Sequence, residues 1–172
     1  MKQIDWLFFD VGSTLVNEEK AYQERIKQAL ADTNISYAAF YQTMIHYFME
    51  NKKGDVEALK YYGLKCPSWK SDLETLYPGC KHVLKTLHSH YKIGILANQL
   101  PNLLVRLRNF GIDSYIDLVI SSADVGLAKP NLAIFKLALQ QANCLAEHAV
   151  MIGDRLDNDI LPAKQLGMRT IW

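Results

Sequence analysis

Cysteine is scarce in this chain, and the three cysteines form no recognisable pair. Cys66, Cys80 and Cys144 are an odd number of widely spaced residues without a C-x-x-C motif. Disulfide frameworks use an even set of cysteines in small secreted chains, and structural zinc sites use closely spaced pairs. We therefore expect reduced cysteines and no zinc site.

Long apolar runs and a strong net charge are also absent. No run approaches the about 18 apolar residues that a membrane span requires. The apolar stretch near the amino terminus is short and contains Asp5, which is unlike a signal peptide. The formal net charge is only +1, so no basic surface for nucleic acid is indicated. These features predict a cytoplasmic protein with neither membrane nor nucleic-acid partners, and they indicate no particular oligomeric state.

The 172 residues, of which 49% are hydrophobic, are enough for one good core and a small additional domain. From residue 78 onwards, predicted strands alternate with helices of about 8 to 12 residues, which is typical of a parallel sheet with helices on both faces. We expect an α/β core with five strands, at Ile4–Val11, Lys92–Asn98, Leu118–Ser121, Ala149–Asp154 and Met168–Trp172.

Between the first strand and the rest of this core, the pattern is helical throughout. The predicted helices span Glu18–Leu30, a segment from a Ser36 cap to Phe48, Val56–Tyr62, and a short stretch with Trp69, Leu73 and Leu76. The sequence therefore predicts a core domain formed by residues 1–16 and 78–172, with a helical domain inserted at residues 17–77.

Charged residues follow several of the predicted strands. Asp10 comes directly after the apolar run Ile4–Phe9, where an unpaired carboxylate is costly and needs a metal, a cation or backbone donors. Asp154 is the last residue of a later predicted strand, and Lys129 and Asp159 follow later strands within loops. Because ligands bind beyond the carboxyl ends of parallel strands, these side chains are expected to meet at one edge. Three carboxylates and one lysine predict a metal-assisted phosphate site.

Four segments together resemble the successive motifs of the haloacid dehalogenase (HAD) superfamily: FFDVGSTL, IGILANQ, GLAKPNLAIF, and MIGDRLDNDI followed by PAKQLGMRTI. The helical insertion stands where that family has its C1-type cap. The resemblance implies a Rossmann-like core with the strand order 5-4-1-2-3. It also implies Mg²⁺-dependent phosphoryl transfer through an aspartyl phosphate, with a small phosphorylated metabolite as the substrate.

By this resemblance, Asp10 is the nucleophile and also a Mg²⁺ ligand, and covalent catalysis of this kind divides hydrolysis into two easier steps. Lys129 neutralises Asp10 and the phosphoryl oxygens. Asp154 and the backbone carbonyl of Gly12 complete the metal site, since hard cations prefer oxygen ligands. Asp159 holds a metal-bound water or orients Lys129.

The same resemblance places the phosphate near Ser13, Thr14, Ala97, Asn98 and Lys129. Ser13 and Thr14 are expected to offer hydroxyls and turn N–H groups, although Thr14 has the alternative role of fixing the turn. At Ala97 only the backbone N–H remains, and Asn98 supplies the adjacent side chain.

Three further residues have expected roles in starting helices. Asp157 is expected to cap the helix over residues 159–166 rather than to bind metal. Pro130 is expected at the start of the helix that follows Lys129, and Pro162 in the first turn of its helix, where N–H groups lack helical partners.

Two positions depart from the family's pattern. Gly12 stands where the family's phosphatases have the Asp that serves as general acid and base, and Ala97 stands where they have a Ser or Thr. Loss of the acid removes protonation of the leaving group, which is typically worth about 10²- to 10⁴-fold in rate.

Three interpretations remain open on the sequence. One is a slow or specialised hydrolase that acts on good leaving groups or borrows an acid such as Glu18 or Glu19. Another is a phosphonatase-type hydrolase, which needs a Schiff-base lysine among Lys52, Lys53 and Lys60; the pattern does not favour dehalogenation. The third is a non-catalytic regulatory protein that binds Mg²⁺ and phosphate.

Overall fold

The computed structural model describes residues 3–50 and 52–172. Its seven strands are β1 (Trp6–Phe9), β2 (Val16–Asn17), β3 (Thr75–Leu76), β4 (Lys92–Ala97), β5 (Leu118–Ser121), β6 (Ala149–Ile152) and β7 (Arg169–Ile171). Five of them form one sheet in the order β5-β4-β1-β6-β7, and every neighbouring pair in it is parallel. Counted without the short β2 and β3, the order from the other edge is 5-4-1-2-3, so the predicted fold class and strand order are confirmed.

Alternation along the strands sends side chains to two apolar layers, one on each face of the sheet. On one face, Leu7 and Phe9 of β1 pack in a layer with Leu84. On the other face, Phe8 packs in a layer with Phe135. Helices cover both layers. The α-helices of this part of the chain are α4 (Cys80–His88), α5 (Leu103–Asn109), α6 (Ser122–Val125), α7 (Leu132–Gln141) and α8 (Leu161–Gln165).

The chain divides into two compact units, Met1–Asn17 with Thr75–Trp172, and Glu18–Glu74. The second unit contains α1 (Glu19–Leu30), α2 (Tyr37–Met49) and α3 (Gly54–Tyr61), and its described residues include no strand. The side chain of Ser36 accepts a hydrogen bond from the N–H of Ala39, so it caps α2 as the sequence indicates. The unit has an apolar core of its own, formed by Ile26, Phe40, Met44, Ala58 and Leu59.

Two helix predictions were wrong. The stretch with Trp69, Leu73 and Leu76 is not an α-helix, because Ser71–Leu73 forms one 3₁₀ turn and Leu76 pairs with Val16 in a two-stranded antiparallel ribbon. Pro130 does not begin α7, since Asn131 is the cap and accepts from the N–H of Ala133 at 2.9 Å.

The segment predicted as one helix over 159–166 also differs. A π-helical turn, Leu156–Ile160, comes first, and α8 follows with Pro162 in its first turn. Within the described ranges, none of the helices combines the length and apolar character needed to cross a membrane.

Candidate functional site

Asp10 lies at the carboxyl end of the central strand of the sheet. Its N–H donates to the carbonyl of Ile152 at 2.9 Å, which continues the pairing of β1 with β6 by one residue. The residue is only 8% exposed. The strand therefore delivers a carboxylate to a place where it needs compensating charge.

Lys129 supplies part of that charge. Its Nζ lies 2.6 Å from Oδ1 of Asp10 and 2.5 Å from Oδ1 of Asp159. Burial would lower the pKa of Lys129, but the two carboxylates outweigh it and raise the pKa above the usual value. Lys129 is thus held as an ammonium between two acids that lie far apart in the sequence.

Asp159 is almost completely buried, and both of its oxygens have partners. One accepts from Lys129, and the other accepts from the N–H of Arg155 at 3.1 Å. Gly153 leaves the space that this carboxylate occupies, since a Cβ at that position would collide with it. Asp159 is therefore fixed by its surroundings and directs the lysine towards Asp10.

Asp154 is the exposed member of the acidic cluster. Although its side chain keeps access to solvent, desolvation by the surrounding protein, together with the charges of Asp10 and Asp159, raises the pKa of Asp154 to about 6. Burial also raises the pKa of Asp10, with Lys129 acting in the opposite direction. Lys129 alone does not balance the negative charge here.

The donor set fits a divalent cation. Asp10, Asp154 and Asp159 each place a carboxylate oxygen within 4.8 Å of those of the other two. Oxygen donors at such spacing suit Mg²⁺, and a cation beside them relieves the charge that raises the pKa of Asp154.

The turn after Asp10 is held together by hydrogen bonds of its own backbone. The N–H of Ser13 donates to the carbonyl of Val16 at 2.9 Å, and the N–H of Thr14 donates to that of Val11 at 3.3 Å. The turn itself uses both N–H groups, and phosphate binding by Ser13 and Thr14 stays a prediction. Ser13 is exposed, whereas the hydroxyl of Thr14 is buried and has no hydrogen-bond partner among the described residues, so Thr14 contributes to the turn through its backbone N–H.

At the end of β4, Ala97 and Asn98 have different surroundings. Ala97 is fully buried in the apolar layer that contains Phe9. Asn98 is exposed, and its amide contacts the backbone of Lys129: Oδ1 accepts from the Lys129 N–H and Nδ2 donates to the Lys129 carbonyl, each at 2.8 Å. This contact could not be predicted from the sequence, because the two residues are 31 positions apart.

Two other contacts near Asp154 were not predicted. Asp157 does not cap a helix; it pairs with the guanidinium of Arg155 at 2.7 and 3.1 Å, and Arg155 is the residue before the π-helical turn. The indole Nε1 of Trp172 donates to the carbonyl of Asp154 at 2.8 Å. An aromatic residue after an edge strand carries no sequence signal for such a role.

Comparison with known proteins adds to this geometry. The model of a family described as "Haloacid dehalogenase-like hydrolase" matches residues 7–172. The pyrimidine 5'-nucleotidase YjjG of Escherichia coli is 29% identical over 98% of this chain and 85% of its own length. A glyceraldehyde 3-phosphate phosphatase of Pyrococcus abyssi is 30% identical, covering 96% of this chain and 79% of its own length. The pyrophosphatase PpaX of Listeria welshimeri is 28% identical, over 88% of this chain and 75% of its own length.

Solved structures share the fold. A HAD phosphatase from Thermococcus onnurineus has a TM-score of 0.71 and 23% identity, covering 98% of this chain and 86% of its own. YfnB from Bacillus subtilis, in a magnesium-bound crystal structure, has a TM-score of 0.76 and 21% identity. The match covers 99% of this chain and 89% of the YfnB chain.

Proposed function

The chain belongs to the haloacid dehalogenase-like hydrolases, and from that premise we propose that it hydrolyses a small phosphorylated metabolite through an aspartyl phosphate on Asp10. The observation that carries the proposal is the ammonium of Lys129 between Asp10 and Asp159, with Asp154 beside them. A buried nucleophile, a fixed cation and an oxygen-rich metal site are the parts that phosphoryl transfer uses.

In the first step, the carboxylate of Asp10 attacks phosphorus, and the bond from phosphorus to the leaving oxygen breaks with its electron pair on that oxygen. In the second step, water attacks the same phosphorus, and the bond from phosphorus to the Asp10 oxygen breaks with its electron pair on the carboxylate. Inorganic phosphate leaves with the oxygen of that water, and the proton that the water loses passes to solvent, because Gly12 has no side chain to accept it. Lys129 offsets negative charge on the carboxylate and on the phosphoryl oxygens in both steps. Asp10, Asp154 and the Gly12 carbonyl would hold Mg²⁺, which supplies further charge neutralisation when bound.

Gly12 limits the range of substrates. Without a carboxyl group at this position, the leaving oxygen departs unprotonated, so a leaving group of low pKa is favoured. Acyl phosphates, phosphoanhydrides and aryl phosphates have such groups, whereas alkyl phosphates do not. Among the relatives, one is named a pyrophosphatase, whereas the nucleotidase and the glyceraldehyde 3-phosphate phosphatase are named for phosphate esters, so the preference rests on Gly12 and not on the relatives. We therefore place the preferred substrate among phosphates with good leaving groups.

The test is release of phosphate from acetyl phosphate, p-nitrophenyl phosphate and glycerol phosphate, with and without Mg²⁺. We expect Mg²⁺-dependent turnover of the first two, little turnover of the third, and none of any with Asp10→Asn. Gly12→Asp should raise turnover of glycerol phosphate, while the matched Gly12→Asn, which adds the same bulk without an acid, should not. Equal rates on all three substrates would show that another acid acts on the leaving group.

The two alternatives have less support. A Schiff-base lysine needs surroundings that favour the neutral amine, but Lys52 and Lys60 are exposed and paired with the carboxylates of Glu50 and Glu57 at 2.7 and 2.6 Å. Lys53 is exposed as well. The pKa of Lys52 is raised by the hydrogen bond to Glu50, opposite to what a phosphonatase lysine requires. A regulatory protein that only binds Mg²⁺ and phosphate would show no turnover in the same experiment.

A further inference from the structure

Asn98 is held against the Lys129 backbone rather than left pointing into open solvent. Its two amide atoms contact the two backbone polar groups of one residue, each at 2.8 Å. An amide turned by 180° would face the Lys129 N–H with its own N–H₂ group and lose both bonds, so a single orientation of the side chain is selected. Asn98 thus recognises the backbone of Lys129, whatever side chain that residue has.

The two partners belong to very different parts of the unit. Asn98 directly follows Ala97, the last residue of β4, and β4 lies between two hydrogen-bonded neighbours in the sheet. Lys129 lies in the loop between α6 and α7, where the bond from the Asn131 N–H to the Ala128 carbonyl is local to the loop. The Asn98 amide connects this loop to the rigid centre of the sheet.

A second contact joins the same two segments. The hydroxyl of Ser122, at the start of α6, accepts from the N–H of Gln99 at 3.1 Å. The residues after β4 are therefore bonded to both ends of the segment 122–129, and the Asn98 contact is at the end that carries the lysine.

We propose that Asn98 is a positioning residue that acts through Lys129, and that it does not act as a phosphate ligand. By fixing the backbone of Lys129, it keeps the ammonium between Asp10 and Asp159, where the charge is needed. This role rests on the proposed phosphoryl transfer for its catalytic consequence, but the contact itself is testable without turnover.

The first measurement is hydrogen exchange of the Lys129 backbone amide, followed by NMR. In Asn98→Ala, we expect this amide to exchange about 10-fold faster or more, because its acceptor is gone, while amides of β4 stay protected. Asn109→Ala is the matched control, since Asn109 is an exposed asparagine at the end of α5. An unchanged Lys129 amide in Asn98→Ala would overturn the proposal.

The second measurement separates positioning from phosphate binding. With p-nitrophenyl phosphate and saturating Mg²⁺, Asn98→Ala and Asn98→Asp should lower kcat by about 10- to 100-fold, the size of effect expected when a catalytic group is misplaced. KM should stay within about 2-fold of the parent. A higher KM with kcat retained would identify a phosphate ligand and overturn the proposal. Absence of turnover in the parent protein would contradict the proposed function instead, and the exchange measurement would still decide the role of Asn98.

Discussion

At the scale of single residues, the site is defined by an excess of carboxylates over cations. Lys129 contacts Asp10 and Asp159, and no described cation lies as close to Asp154. The pKa of Asp154 is raised to about 6 by desolvation and by the two other carboxylates. Repulsion between these carboxylates destabilises the metal-free protein, and a bound cation would offset that repulsion.

Asp154→Asn should abolish the stabilisation of the protein by Mg²⁺. In the parent, Mg²⁺ at about 100 times its Kd is expected to stabilise the fold by about 2.7 kcal/mol, because it binds only the folded state. Without Mg²⁺, the variant should be at least as stable as the parent, since one of three crowded carboxylates is gone. Thermal unfolding with and without Mg²⁺ measures both effects.

Asp157→Asn is the matched control for this experiment. Asp157 is three residues from Asp154 and carries the same charge, but it is paired with Arg155 at 2.7 Å. Its variant should keep the full response to Mg²⁺. If Asp154→Asn responds as the parent does, Asp154 is not a metal ligand.

At the scale of elements, the two ends of the sheet have different functions. The carboxyl ends of β1 and β6 present the acidic cluster, while near the amino end of β4 a carboxylate joins neighbouring strands. Asp117, just before β5, accepts from the N–H of Ile93 at 2.9 Å and from Nζ of Lys92 at 2.8 Å. Burial opposes its ionisation, but these two hydrogen bonds, together with the charges of Lys92 and His88, outweigh that effect and hold the pKa of Asp117 below its usual value.

Asp117→Asn should lower the free energy of unfolding by about 1 kcal/mol near neutral pH, a typical value for such partly exposed bonds. Because the pKa of Asp117 is lower in the folded state than in the unfolded state, its contribution is complete above pH 3.8, the usual pKa of an Asp side chain. The contribution is lost as the pH falls through the folded-state pKa. Urea unfolding of parent and variant at neutral and acidic pH should show the difference between them shrink in acid. A difference that grows in acid would contradict the assigned contact.

The placement of strands and acidic residues at one edge of the sheet could largely be predicted from the sequence. Apolar runs that end in Asp10 or precede Asp154 place strands and acids together, since parallel strands share one carboxyl edge. The π-helical turn before α8 could not be predicted, because the pattern over residues 159–166 is typical of an ordinary α-helix. In the structure, Asp159 lies in that turn and packs directly against Gly153. The Asn98 contact depends on tertiary structure in the same way.

At the scale of the whole molecule, each of the two units has a separate apolar core. The chain passes from the α/β unit into the helical unit after β2 and returns at β3. Asn17 of β2 pairs with Thr75 of β3 in antiparallel register. The residues that flank the insertion are therefore neighbours in the two-stranded ribbon of β2 and β3. The sequence predicts an inserted domain at residues 17–77, and the compact unit in the structure spans Glu18–Glu74.

Replacement of Glu18–Glu74 by the two-residue turn Asn-Gly should leave an α/β unit that folds. Such a turn joins antiparallel strands without strain, and neither apolar layer of the sheet includes any of the described residues of the deleted segment. We expect cooperative thermal unfolding by circular dichroism and a Mg²⁺ response that Asp154→Asn removes. A product without a cooperative transition would show that the helical unit is needed for folding.

The most direct measurement of the proposed chemistry is chemical trapping of the aspartyl phosphate. The protein is mixed with acetyl phosphate and Mg²⁺, quenched in acid during turnover, and treated with borohydride, which reduces an acyl phosphate on aspartate to homoserine; peptide masses then locate the change. We expect homoserine at Asp10 in the parent, none without Mg²⁺, and none in Asp10→Asn. Phosphate release by the parent with Asp10 unmodified, or with the change at another position, would contradict covalent catalysis by Asp10.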